Sequence, residues 1–230
     1  MPALDTQTKV AVVGAGAMGS GIAQVAAQAG HQVYLHDQRE GAAEAGRDGI
    51  AKQLQRRVDK GKMQQQELDD VIGRIQPVAK LDQVADAGLV IEAIIEDLQI
   101  KRQLLANLED LCAGDAILAT NTSSISVTAL GAEMNKPERL VGMHFFNPAP
   151  LMALVEVVMG LATSKAVADT IHATATAWGK KPVYATSTPG FIVNRVARPF
   201  YAESLRLPPE QAPEAATLEA TLRAGGQRRM

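Results

Sequence analysis

Lys9-Val10-Ala11-Val12-Val13-Gly14-Ala15-Gly16-Ala17-Met18-Gly19-Ser20-Gly21 runs from four apolar residues into a glycine-rich turn and then into a stretch of small, helix-compatible residues. Val10 to Val13 is a short apolar run that fits a buried strand. Ala17 to Ala29, closed by Gly30, reads as a buried helix with a glycine at its end. In a strand-turn-helix of this kind Gly14 permits the tight turn, Gly16 lets another molecule approach the backbone, and Gly19 lets helix and strand pack closely. Further short runs follow at Gln32 to His36, Leu89 to Glu92, Ala116 to Thr120 and Leu140 to His144, separated by longer helix-like stretches. That alternation predicts βαβ units and an α/β fold built on a doubly wound, mostly parallel sheet.

The longest of the intervening stretches, Glu40 to Lys60, is polar and rich in Gln and Arg, and Gln64 to Ile72 adds a second helix. Together they predict a helical-hairpin insertion over about 40–72 with its turn at Lys60-Gly61-Lys62; a projection over a ligand site and a plain insertion both explain it. Leu98 to Cys112 is amphipathic and predicts a core-facing crossover. Leu154 to Val158 and Pro182 to Ala185 read as strands, with a helix from Ser164 to Trp178 between them. The Pro189-Gly190 turn marks a domain boundary, giving 1–188 as the sheet domain and 189–230 as the start of an all-α C-terminal domain. Phe191 to Leu207 is helical in pattern, Pro208-Pro209 interrupts it, and a tail rich in Ala and Glu follows.

The chain has 230 residues, 47% of them hydrophobic, which is enough for one full core and part of a second. With 23 basic and 25 acidic residues the formal net charge is -2, and no basic stripe or polybasic patch stands out. Nucleic acid and membrane surfaces are therefore not the expected partners. Cys112 is the only cysteine, so no intramolecular disulfide and no multi-cysteine metal site can form, which fits a reducing cytoplasm; no metal is expected. Val10 to Val13 is too brief for the apolar region of a signal peptide or for a membrane span.

Two sets of residues suggest chemistry. Asp37 ends the second predicted strand at about the spacing, some 20 residues past the glycines, where a carboxylate accepts hydrogen bonds from a dinucleotide's ribose. With the glycines this is the Rossmann fingerprint, and exposed amides at the helix start would face the phosphates. The same carboxylate repels a 2′-phosphate and favours NAD over NADP, although Arg39 nearby could instead welcome that phosphate. The second set is Gly142-Met-His-Phe-Phe-Asn-Pro-Ala-Pro-Leu-Met-Ala-Leu-Val-Glu156. Pro148 and Pro150 would turn the chain and bring Glu156 back beside His144 at the carboxyl edge of the sheet, where ligands bind in open α/β folds. A carboxylate there holds an imidazole in one tautomer and stabilises its charged form. A histidine beside Phe145 and Phe146 is also compatible with plain packing.

The glycine fingerprint, Asp37, Val90-Ile-Glu-Ala-Ile-Ile-Glu96, Asn121-Thr-Ser-Ser124, His144-Phe-Phe-Asn-Pro148 and Thr188-Pro-Gly-Phe-Ile-Val-Asn-Arg195 follow one another in order. Through them the chain resembles the L-3-hydroxyacyl-CoA dehydrogenases, from about Lys9 to about Leu207. Within that family, Asn147 to Pro150 and Ser187 to Pro199 look most like the bacterial 3-hydroxybutyryl-CoA and 3-hydroxyadipyl-CoA enzymes, the latter acting in phenylacetate degradation. The resemblance implies oxidation of a 3-hydroxyacyl-CoA with NAD, as in β-oxidation of fatty acids. It makes His144 the catalytic base and Glu156 the carboxylate that orients it. Ser123 and Asn194 match residues that hydrogen-bond substrate near the reacting carbon, with Ser123 also beside the cofactor and Asn147 near the nicotinamide. Gly14, Ala15, Gly16, Ala17, Met18, Gly19 and Asp37 match the cofactor site, to which Glu96 and Lys101 also belong. Lys60 and Lys62 fall where the family meets the nucleotide end of coenzyme A. Local alternatives stand beside these roles: Ser123 could cap a helix beginning near Ile125, and Lys60 and Lys62 could be ordinary solvated lysines.

Family members continue past Asn194-Arg195 into a helical domain that dimerises and helps close the cleft. Here Gln227-Arg228-Arg229-Met230 stops short, so a truncated C-terminal domain is expected, whether as a natural short form, a shifted frame or a fragment. Uncovered apolar surface and a compromised homodimer would follow. Ala153 stands where the family often has lysine. Two readings compete with a working enzyme: a fragment that binds NAD without turnover, and a β-hydroxyacid dehydrogenase, although those use a lysine base and lack the His144 to Glu156 arrangement.

Overall fold

The computed structural model describes residues 1–206 and positions 214, 216, 217, 220, 221 and 224. Pro208-Pro209 and the Gly225-to-Met230 end lie outside the described residues. The chain divides into two units, Met1–Phe191 and Ile192–Met230.

The first unit is an eight-stranded sheet, β1 (Val10–Val13), β2 (Val33–His36), β3 (Ile75–Val78), β4 (Leu89–Glu92), β5 (Ile117–Thr120), β6 (Leu140–Phe145), β7 (Leu154–Met159) and β8 (Lys181–Thr186), in the spatial order β3-β2-β1-β4-β5-β6-β7-β8. Every neighbouring pair is parallel except β6 with β7. The order reverses between β1 and β4, which opens a crevice at the carboxyl ends of those strands. The expected doubly wound, mostly parallel architecture is therefore present.

The helices are α1 (Ala17–Gln28), α2 (Ala42–Asp59), α3 (Gln65–Arg74), α4 (Leu98–Leu111), α5 (Val127–Gly131) and α6 (Lys165–Ala177). Side chains that alternate along each strand feed two separate cores. Val10, Val12, Leu89, Ile91, Met143, Phe145, Val155 and Val157 pack under α1, α2, α3 and α6, through Ile22, Leu54, Leu68 and Ile171. Ala11, Val13, Val90, Leu118 and Val158 pack under α4 and α5, through Leu105, Leu108, Val127 and Leu130. A sheet covered on both faces needs such unbroken apolar strands.

The hairpin of α2 and α3 is present, turning at Gly61 with φ of 64°. It forms the crossover from β2 to β3, and Ile50, Leu54, Leu68 and Val71 anchor it on the sheet. Strand β3 is absent from the sequence reading. Its Pro77 and exposed Gln76 disguise it, and its place at the sheet edge is what makes a proline tolerable there. In the second unit a helix, α7 (Val193–Arg206), carries Asn194 in its first turn and Pro199 in its interior.

Candidate active site

The turn after β1 shows why its glycines are glycines. Gly14 has φ of 106°, and a Cβ there would lie 2.5 Å from the Ala93 carbonyl oxygen. A Cβ on Gly19 would lie 1.6 Å from the Gly14 oxygen. Gly16 differs, because a Cβ there would meet no atom of the described residues within 4 Å. Gly16 also begins α1 without a side-chain cap, whereas Asp97, Ser126 and Ser164 cap α4, α5 and α6. The first amides of α1 are thus left for an external acceptor on an open side of the turn, the arrangement a pyrophosphate requires. Ala15 and Ala17 line the same opening, while Met18 packs partly buried against the core.

Asp37 closes this turn from β2. Its Oδ2 accepts from the Ala15 amide at 2.8 Å, and its two oxygens take the Arg39 Nε and Nη2 groups at 3.0 and 3.1 Å. The Arg39 guanidinium pulls the carboxyl down to about 2 against the opposing effect of burial, so Asp37 is anionic at neutral pH. Arg39 is thereby turned onto Asp37 instead of presenting its fork outward. Acidic acceptor, open glycine and uncapped helix together fit NAD.

Beyond the turn, a cleft of about 870 Å³ runs between α1 and α2 and is closed on one side by Asn147, Pro148 and Pro150. Ser20, Gly46, Gly49 and Gln53 face it. Ser123, Glu96 and His144 do not line it. Lys60 and Lys62 are exposed at the hairpin turn and are also outside its lining.

His144 and Glu156 are direct cross-strand partners on β6 and β7, and the expected return of the chain is observed. The Nδ1 of His144 lies 2.7 Å from Glu156 Oε2, with 6% and 0% of the two side chains exposed. Rings of Phe146 and Phe191 pack on the imidazole at 4.6 and 5.7 Å between centroids. Gly142 shares their face of the sheet; a Cβ there would lie 2.6 Å from that of Val158, so its lack of a side chain lets β6 and β7 pair closely beneath the dyad. Asn121 ties in the neighbouring loop, its Oδ1 accepting from the Phe145 amide at 2.9 Å.

The Thr122-Ser123-Ser124 loop is gathered onto one carboxylate oxygen. Glu96 Oε1 accepts from the Thr122 hydroxyl at 2.6 Å, the Ser123 amide at 2.9 Å and the Ser124 amide at 3.1 Å. Burial alone would raise the Glu96 pKa, but the Thr122 hydroxyl, the Ser123 amide and Lys101 more than offset it and hold it at about 2. Lys101 is 1% exposed, and its ammonium sits between Glu96 and the fully buried Glu92. Any effect of Lys101 on a ligand therefore passes through Glu96. Ser123 does not cap the next helix; Ser126 does, accepting from the Ala129 amide. Asn194 belongs to the second unit and is described there. Glu92, Thr120 and Thr122 join the site only in the structure, although a carboxylate ending the apolar run Leu89 to Glu92 is a signal the sequence carries.

The sequence pattern of the family "3-hydroxyacyl-CoA dehydrogenase, NAD binding domain" matches residues 9–188. The chain is 49% identical over 222 residues to 3-hydroxyadipyl-CoA dehydrogenase of Escherichia coli (strain K12), an alignment covering 96% of this chain and 46% of that protein. It is 45% identical to probable 3-hydroxybutyryl-CoA dehydrogenase of Bacillus subtilis (strain 168), covering 86% of this chain and 69% of that one. A crystal structure of (S)-3-hydroxybutyryl-CoA dehydrogenase from Ralstonia eutropha superposes with a TM-score of 0.93 at 34% identity, over 96% of this chain and 78% of the other. The chain thus spans less than half the length of the Escherichia coli relative.

Proposed function

This chain belongs to the 3-hydroxyacyl-CoA dehydrogenase family, with NAD as its cofactor, and on that footing we propose that it oxidises (3S)-3-hydroxyacyl-CoA to 3-oxoacyl-CoA. The observation that carries the proposal is the buried His144–Glu156 contact of 2.7 Å at the carboxyl end of β6. With Nδ1 held by Glu156, proton transfer falls to Nε2, and the carboxylate stabilises the imidazolium formed when the substrate hydroxyl gives up its proton. NAD, when bound, supplies the hydride acceptor. Gly14 through Gly19 would hold its pyrophosphate, and Asp37 would accept from its ribose hydroxyls.

Ser123 would hydrogen-bond the reacting oxygen, which carries developing negative charge in the reduction direction; Asn194, in the second unit, matches a substrate-binding residue of the family. Asn147, on the wall of the cleft, would contact the nicotinamide. The hairpin of α2 and α3 suits a long carrier, with Lys60 and Lys62, exposed at its turn and outside the cleft, as the candidate phosphate contacts, so that contacts far from the reacting carbon help position it. Substrates of the 3-hydroxybutyryl-CoA and 3-hydroxyadipyl-CoA class agree with the names of the relatives. The setting is the cytoplasm, where the buried thiol of Cys112 stays reduced; among the described residues no helix is long and apolar enough to cross a membrane.

NADH oxidation with acetoacetyl-CoA, measured alongside NAD binding by calorimetry, tests the proposal. Turnover is the expected result. NAD binding without turnover would favour the second reading, a chain that holds the cofactor but does not turn over. Absence of both would sink the proposal.

A further inference from the structure

We infer that Glu92 is a positioning residue of the site, and that its carboxylate, acting through Lys101 and Glu96, fixes the Thr122–Ser124 loop. Glu92 ends β4 with no exposed surface. A buried carboxylate is tolerable only when its oxygens are fully bonded. Here Oε1 takes the Lys101 ammonium at 2.5 Å and the Ile94 amide at 2.7 Å, and Oε2 takes the Thr120 hydroxyl at 2.7 Å. Lys101 reaches from α4 and also lies 3.3 Å from Glu96 Oε2. Glu96 thus uses one oxygen for the lysine and the other for the loop. The result is a relay from the β5 strand end, Thr120, through Glu92, Lys101 and Glu96, to the amides of Ser123 and Ser124.

A lysine on a flexible stem is placed by what binds it. Held between two carboxylates, Lys101 pulls on Glu96 with only part of its charge. With Glu92 neutral the ammonium would pair with Glu96 alone, drawing that carboxylate off the loop. Glu92→Gln keeps the shape and can keep the bonds to Ile94 and Thr120, so the charge is what it removes. The consequence for catalysis rests on the dehydrogenase reading; the consequence for the loop does not.

The test has two arms, both on the whole chain. Hydrogen exchange followed by mass spectrometry in Glu92→Gln should show the peptide over residues 121–126 exchanging about tenfold faster, with peptides of β1 and β8 unchanged. Val90→Ala removes apolar volume from the same strand without touching the relay, and shows what a general loosening of the sheet does to the same peptides. Unchanged exchange in 121–126, or a rise spread over the sheet in both variants, overturns the inference. In turnover, Glu92→Gln should lower kcat about tenfold or more beside Ser123, and less than about twofold in a Ser123→Ala background, because a misplaced group costs little once it is gone. Equal losses in the two backgrounds also overturn it. Local exchange as expected with no turnover even in the unaltered chain supports the positioning role while removing the dehydrogenase reading.

Discussion

Glu96 and Asp37 are two carboxylates on the same sheet edge, each brought to about 2 from ordinary values of 4.5 and 3.8. For Glu96 the Thr122 hydroxyl, the Ser123 amide and Lys101 outweigh the effect of burial; for Asp37 the Arg39 guanidinium dominates. A folded-state pKa below the unfolded one adds stability that is present above the unfolded value and lost as the pH falls through the folded value. For Glu96 the window lies between its ordinary 4.5 and about 2. Denaturant unfolding measured across that range should therefore show a flatter pH dependence for Glu96→Gln than for the unaltered chain. Parallel curves would mean that the loop does not lean on this carboxylate. Asp37 was readable from its position after β2, because a ribose-binding acid is defined by spacing. The cluster around Glu96 was not, because its members come from β4, α4 and the loop after β5, and no local pattern records which side chains those elements bring together.

At the scale of elements, the turn between β1 and α1 separates two uses of glycine. Gly19 is required by the protein's own backbone, with an added Cβ only 1.6 Å from the Gly14 oxygen, while Gly16 has open space where its Cβ would go. Gly19→Ala should destabilise the fold, by about 1–3 kcal/mol or more if the turn must shift. Gly16→Ala should leave the melting temperature nearly unchanged and weaken NAD binding. Thermal melts paired with NAD calorimetry check both, and undiminished NAD affinity in Gly16→Ala would show that the cofactor does not approach there. The strand-turn-helix was legible because three constraints, an apolar run, glycine spacing and a small-residue helix, coincide within a few residues. Strand β3 escaped notice because Pro77 and Gln76 look unlike a strand away from an edge. The hairpin of α2 and α3 was legible in length, but its seating on the sheet through Ile50 and Leu68 needed the structure.

Across the whole molecule, the sheet brings residues far apart in sequence to one edge. Gly16 and Asp37 come from the first strands, Glu96 and Ser123 from the loops after β4 and β5, and His144 and Glu156 from the antiparallel pair beyond them. The antiparallel step matters because β7 must run backward for Glu156 to lie opposite His144. That step was legible from two prolines between two apolar runs, whereas the paired phenylalanines at the imidazole include Phe191 from much later in the chain. The central claim is that this pair moves the proton of a hydride-transfer reaction. It is tested most directly by comparing acetoacetyl-CoA-dependent NADH oxidation in the unaltered chain and in His144→Ala. The expected result is a loss of kcat of about 100-fold or more with NADH affinity retained. Turnover that survives the substitution would contradict the assignment of His144 as the proton-transfer group.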